Sequence, residues 1–295
     1  MALRLPDSRF PIADVSHYHA HVRTVALTSA AFIGFAANSL LTRGALGTER
    51  LDAATFTFVR LLTGALTLLV LTRARPRADA SSGSWESAAA LAAYAICFTL
   101  AYRRIGAAVG ALVLFGAVQA TMIGTGLARG ERPERIDWLG VACAIAGLLV
   151  FAIPGATAPD VLGTALMAAA GVCWGVYSLA GRAARDPLGA TAGNFLRATL
   201  AGLVFFAAGF ASRKITTSGL LLATASGSLA SGVGYTLWYA ALPSLAAWRA
   251  AIVQLIVPVF TALSAAALLG ETITSRLVLA TALVGLGVAL TIHRK

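Results

Sequence analysis

An all-α polytopic membrane protein, with ten transmembrane helices in two inverted five-helix repeats, is predicted by three observations. Hydrophobic residues make up 58% of the chain and charged residues 12%, with a mean hydropathy of +0.81, which leaves too little polar surface to clothe a soluble globule of this length. The apolar residues gather into runs long enough to cross a hydrocarbon core of about 30 Å. The chain also says nearly the same thing twice: Arg43, Arg60 and Gly130-Glu131 recur as Arg182, Arg197 and Gly270-Glu271, displaced by 139, 137 and 140 residues. Five spans per repeat is an odd number, so the second repeat enters from the opposite side, an architecture used by carriers.

Residues 1–23 form a polar leader. It precedes an apolar run of full spanning length, so the first span is expected to stay in the mature protein. His17, His19 and His21 in the leader could hold a metal if ordered, but one short polar run lacks supporting groups and suggests a disordered cytoplasmic tail. The first repeat, residues 24–153, holds spans near 24–44, 53–72, 87–103, 106–128 and 136–153. A polar stretch over 73–84, rich in Arg, Ser and Ala, suggests a flexible loop. Residues 154–159 form a linker. The second repeat, 160–292, holds spans near 160–180, 189–210, 218–241, 247–269 and 276–292, and 293–295 is a basic tail. Strand alternation is absent, which makes these helices rather than barrel strands. Gly106 with Gly110, and Gly171 with Gly175, let backbones approach closely; packing inside one subunit, hence a monomer, is the simpler expectation than a dimer contact. Cys97, Cys143 and Cys173 lie in apolar spans without paired spacing, which argues against a disulfide framework or a metal site.

The net charge of +11 could suit a nucleic-acid partner, but the basic residues sit between apolar spans instead of along one polar face. Placing both termini in the cytoplasm puts 14 Lys and Arg inside against 7 outside, with Arg60 and Arg197 within spans. The positive-inside rule therefore selects that orientation, in a bacterial-type inner membrane with the lipid bilayer as partner.

Every Asp and Glu can be placed in the leader, a loop or a span end. A proton-coupled carrier or a cation pump usually keeps a buried acid at mid-depth. An uncoupled facilitator follows, and an organic cation becomes a less natural cargo; Glu131 and Glu271 at span ends are the acids that could still titrate. These two glutamates are expected chiefly to act as interface caps or salt-bridge partners. Arg60 and Arg197 lie inside their spans at matching positions. Their symmetry favours a structural role, snorkelling or bonding carbonyls at a neighbouring helix end; the alternative, that one binds a substrate carboxylate, stays open. Pro258 is a plausible bending point.

Aromatic and amide side chains suit a pocket for a small molecule that is both apolar and polar. Tyr94 and Phe98 share a helix face, as do Trp174, Tyr177 and Ser178, and again Tyr235, Trp238 and Tyr239. Asn38, Gln119 and Gln254 lie inside spans, where an amide must find a partner or a wet cavity. These are the candidate substrate-binding residues, set against ordinary packing as the plainer explanation. Trp85, Trp138 and Trp248 at span edges suggest an aromatic belt. No phosphate-cradling Gly-Lys-Ser loop, His-Glu-x-x-His helix or nucleophile elbow occurs, and neither an enzyme nor a cofactor is expected.

The segment ANSLLTRGAL over residues 37–46, Arg60 and Arg197, the Gly-Glu pairs followed nine residues after the glutamate by Gly140 or Ala280, and Pro258 together resemble the drug/metabolite transporter superfamily in its ten-helix EamA-type branch. The resemblance covers about residues 24–292. One departure is Val118, which stands in the first repeat where Pro258 stands in the second. The resemblance implies export of metabolites, amino acids or drugs through a central cavity, and is nearest to the aromatic amino-acid exporters. Alternatives are a nucleotide-sugar, cofactor or drug carrier, although a phosphate-bearing cargo should need several cavity Arg and Lys. An intramembrane enzyme would need a paired nucleophile and base at mid-depth.

Overall fold

Acids go to helix starts. In the computed structural model Asp52, Asp160 and Asp186 each accept a hydrogen bond from the backbone N–H three residues on, of Thr55, Gly163 and Gly189. Ser84 and Thr216 do the same for Ser87 and Gly219. Each side chain satisfies an orphan donor, and the carboxylates also meet the positive end of the helix dipole. Largely apolar sequence then carries the chain to the opposite end of the bundle.

The structure describes residues 12–47, 49–75, 79, 82–105, 107–152, 160–209, 213–269 and 275–292. The helical segments are α1 (Ile12–Leu46), α2 (Ala53–Arg73), α3 (Trp85–Tyr102), α4 (Ala107–Ala128), α5 (Arg135–Ala152), α6 (Val161–Arg182), α7 (Pro187–Ala208), α8 (Thr217–Ala225), α9 (Gly234–Ala241), α10 (Ala247–Gln254), α11 (Ile256–Leu269) and α12 (Ser275–Ile292). A π-helix, Ser226–Val233, joins α8 to α9, so the eighth span is one rod of mixed winding. The ninth span is α10 followed by α11, interrupted at Leu255. Pro258 explains the break: without an N–H it cannot bond the Gln254 carbonyl, and its ring presses on that carbonyl. Ten membrane-crossing units in two repeats result.

Three expectations need correction. The leader is helical from Ile12, continuous with the first span, because no breaker lies between Ile12 and the apolar run; the side chains of His17, His19 and His21 lie outside the described residues. The 73–84 loop is pinned where it is described: Asp79 N–H donates to Asp186 Oδ2 at 2.9 Å, Ser84 N–H to Asn194 Oδ1 at 3.0 Å, and Arg197 Nη1 to the Ser82 carbonyl at 3.1 Å. Gly83 makes this possible, with φ +94° and Asn194 Oδ1 and the Ala190 carbonyl where a Cβ would stand. Trp248, placed in the aromatic belt, is 7% exposed against 64% for Trp85, since α10 starts inside the bundle beneath Glu131.

Packing follows the small residues. Gly171 and Gly175 of α6 abut Leu114, Ala117 and Thr121 of α4, within one subunit. Gly287 of α12 approaches Gly140 and Ala144 of α5, pairing the last helices of the two repeats. Gly106, Gly270, Glu271 and residues 154–159 lie outside the described residues.

The two ends of the bundle are tied differently. At one end Leu51 and Ile215 form an antiparallel bridge, the Asp52 N–H donates to the Lys214 carbonyl at 3.0 Å, and Lys214 Nζ pairs with Glu49 at 2.9 Å. At the other, Glu131 after α4 pairs with Arg182 of α6 at 2.9 Å and accepts the N–H groups of Ala247 and Trp248 at 3.1 and 3.4 Å. One carboxylate thus joins the first repeat to a helix end and a helix start of the second.

Candidate substrate site

Where the two repeats meet, aromatic rings from both fill the core. Trp174 on α6 is the hub: its ring centroid lies 5.4 Å from Phe35 on α1, 5.2 Å from Tyr94 on α3, 6.1 Å from Tyr177 and 4.8 Å from Tyr235 on α9. Phe98 extends the cluster from Tyr94 at 5.3 Å, and Trp238 and Phe195 extend it from Phe35 and Tyr235 at 6.1 and 5.5 Å. The tilted and edge-on geometries suit the ring quadrupoles. Apart from half-buried Phe35, all of these rings are buried.

Polar groups are set into this apolar volume. The Trp174 indole N–H donates to Gln254 Oε1 at 2.8 Å, and Gln254 Nε2 donates to the Ala250 carbonyl at 3.1 Å, so this amide is fully engaged. Gln119 Nε2 donates to the Ala251 carbonyl at 2.7 Å while its Oε1 has no partner. Asn38 accepts a 2.6 Å bond from Ser226 in the π-helix. Ser178 is buried near the Tyr239 hydroxyl, and that hydroxyl donates to the Tyr177 carbonyl at 3.4 Å.

Arg60 is 2% exposed. Its Nε donates to Ser231 and its Nη2 to the Tyr235 hydroxyl, both at 3.0 Å. The guanidinium carbon lies 5.4 Å from the Tyr94 ring and 5.7 Å from that of Phe98. Arg197, its repeat counterpart, instead bonds the Ser82 carbonyl and stands 5.7 Å from Trp85 at the bundle end. The matching sequence positions therefore do different work, because the second-repeat helix faces the 82–84 loop while the first faces the cluster.

Tyr94, Phe98, Trp174, Tyr177, Tyr235, Trp238 and Arg60 are thus brought together, and Gln254 joins through Trp174. Asn38 reaches the same zone through the π-helix. Glu131 and Arg197 stay at one end, and Glu271 lies outside the described residues. Sequence reasoning missed Phe35, Phe195 and Ser231. Phe35 precedes Asn38 by three residues on α1, a helical spacing that could have paired them; nothing in the sequence shows that Ser231 meets Arg60, since that depends on the π winding. A cavity of about 380 Å³ opens where α3 and α7 start, lined by Ser84, Ser87, Gly181, Arg185, Asp186 and Asn194 among others. Asn194, which lines this cavity, also lies near the Tyr177 hydroxyl.

The sequence profile of the EamA-like transporter family matches residues 23–153 and again 161–293. The chain belongs to the EamA-like transporter family. As an EamA-like protein it is a multi-pass membrane transporter of the drug/metabolite superfamily, with a small-molecule substrate. An uncharacterized protein of Pseudomonas aeruginosa is 48% identical to it over 269 residues, covering 91% of this chain and 94% of that one. A crystal structure described only as that of a protein matches the EamA-like fold with a TM-score of 0.73 at 22% identity, over 90% of this chain and 99% of the other.

Proposed function

We propose that this EamA-like protein exports small amphipathic metabolites, foremost amino acids with aromatic or apolar side chains, by alternating access around the Trp174 cluster. The observation that carries the reading is Trp174 itself, which touches Phe35 and Tyr94 of the first repeat and Tyr235 of the second. A solute that parted these rings would contact both rocking halves at once. Aromatic faces would hold its side chain, and Asn38, Ser178 and the Gln119 oxygen would address its polar end. The excess of basic residues in the 73–84, 129–135 and 182–185 segments supports placing the Glu131 end of the bundle in the cytoplasm with both termini. The Asn194 cavity would then be the inner vestibule.

Uncoupled transport is supported by where the acids sit. Among the described residues they cap helices, lie in first turns or occupy loops, and none faces the ring cluster. The test is uptake of labelled Phe, Trp, Met, Thr and Lys into liposomes holding the purified protein, with and without a pH gradient. Saturable uptake of apolar and aromatic amino acids that ignores the gradient is expected. Acceleration by protons would refute uncoupled transport, and movement of none of the five would refute the amino-acid assignment.

A further inference from the structure

We propose that Arg60 is the anion-binding group of this carrier, pairing with a carboxylate of the cargo while the cargo's apolar body lies against Tyr94, Trp174 and Tyr235. The proposal rests on the transport reading above and narrows its substrate class to organic carboxylates, whether or not they also carry an amine.

The first observation is an incomplete coordination shell. Nε and Nη2 of Arg60 are bonded to two neutral hydroxyls, the Tyr94 hydroxyl lies close to the guanidinium, Nη1 has no hydrogen bond, and the ion pairs formed among the described residues do not involve Arg60. Hydroxyls and ring faces solvate a cation without neutralising it. A buried charge left in that condition inside a bilayer is expensive, and a purely structural hydrogen bond to Ser231 and Tyr235 needs no charge. A planar guanidinium with one free nitrogen, and a second facing a hydroxyl that can turn aside, is suited to two parallel bonds to a carboxylate. The second observation is the π-helix. Eight residues of π winding are rare, such winding concentrates at functional sites, and here it presents Ser231 to Arg60 and Ser226 to Asn38. It packs so tightly on α2 that a Cβ at Gly227 would overlap Thr63 Oγ1 and the Arg60 carbonyl. The winding and the arginine are therefore one assembly.

Among the described residues nothing comparable awaits an ammonium group. The described acids stand at the helix starts and loops, which leaves the ring faces, Asn38 and the Gln119 oxygen for a cation. The carboxylate is accordingly the group the site requires, and the amine is optional.

The experiment measures binding of L-phenylalanine, 3-phenylpropionate and 2-phenylethylamine to the full-length protein in nanodiscs, for the wild type, Arg60→Lys and Arg60→Gln. The two carboxylates should bind the wild type at least about 10-fold more tightly than the amine. Arg60→Gln should weaken both carboxylates by about 10- to 100-fold, the loss expected for a charged hydrogen bond, and leave the amine as tight or tighter because a like charge has gone, with Arg60→Lys between. Equal binding of all three to the wild type, or an equal loss of all three in Arg60→Gln, would overturn the proposal while leaving amphipathic transport standing. Binding of none to the wild type would refute the cargo reading and the proposal with it. The wild-type comparison needs no variant, so it can overturn the proposal even if Arg60→Gln does not fold, and Arg60→Lys, which keeps the charge, then tests the residue.

Discussion

Trp174 binds the molecule together through two different faces, its ring and its N–H. Replacing it with Phe keeps an aromatic body but strands Gln254 Oε1, which is buried with the rest of that side chain. Trp174→Phe should lower stability by about 1–2 kcal/mol, the cost of an unsatisfied buried acceptor, read as a fall in the thermal midpoint. Trp174→Ala should cost about 3–5 kcal/mol, so its effect on which solutes are carried is read against Trp174→Phe, which keeps the aromatic body. Glu131 gives a pH signature. Partial burial pushes its carboxyl up, but bonds from the Ala247 N–H, Arg182 and the Trp248 N–H outweigh that and hold it below the usual carboxylate range. A depressed folded-state pKa stabilises the protein above the ordinary value and loses that contribution as pH falls through the lowered one. The thermal midpoint should therefore drop on acidification below the usual carboxylate range, and Glu131→Gln should flatten part of that slope. The aromatic candidates were legible because four-residue spacing on apolar spans fixes a shared face. Arg60 and Arg197 were legible as a pair and misleading as one, because symmetry of position does not carry symmetry of surroundings.

The irregular rods are where sequence and structure part most. Pro258 announces its break four residues ahead, at the carbonyl it cannot serve, and α10 ends at that Gln254. Pro258→Ala should restore a continuous ninth span. Because proline inside a helix costs about 3 kcal/mol, the variant should gain stability in thermal unfolding while its uptake rate falls, if the break is where the rod flexes. A variant that transports as fast as the wild type would show the break to be incidental. The π-helix gave no such notice. Its sequence, SGSLASGV, mixes helix-neutral serines with three apolar residues and two glycines, and its extra width is set by α2 pressing on Gly227, a tertiary effect. The helix starts were open to reading from sequence, since Asp, Ser and Thr precede the apolar runs, although the bonding of each cap is seen only in the fold.

Taken whole, the molecule is two repeats stapled at opposite ends by different means, a short backbone bridge at Leu51 and Ile215 and a single carboxylate at Glu131. The repeat displacement and the odd span count made this plan visible before any coordinates. The staples were not visible, because they pair residues far apart in the chain. Arg60 adds an electrical property to the assembly. A guanidinium without a counter-ion among the described residues is, inside the bilayer, a fixed positive charge within the transmembrane field, where one elementary charge crossing a full 100 mV is worth about 2.3 kcal/mol. Rocking that carries it through a tenth of the field changes the energy by about 0.2 kcal/mol per 100 mV. A carboxylate cargo without an amine cancels the charge, whereas a zwitterionic amino acid leaves it standing, so with the former the return of the empty carrier should feel voltage while the loaded step does not. Current recordings from reconstituted membranes would then show transients when the protein is empty that vanish as 3-phenylpropionate saturates it, and the resting potential of the cell would help to set the pace of the turnover cycle.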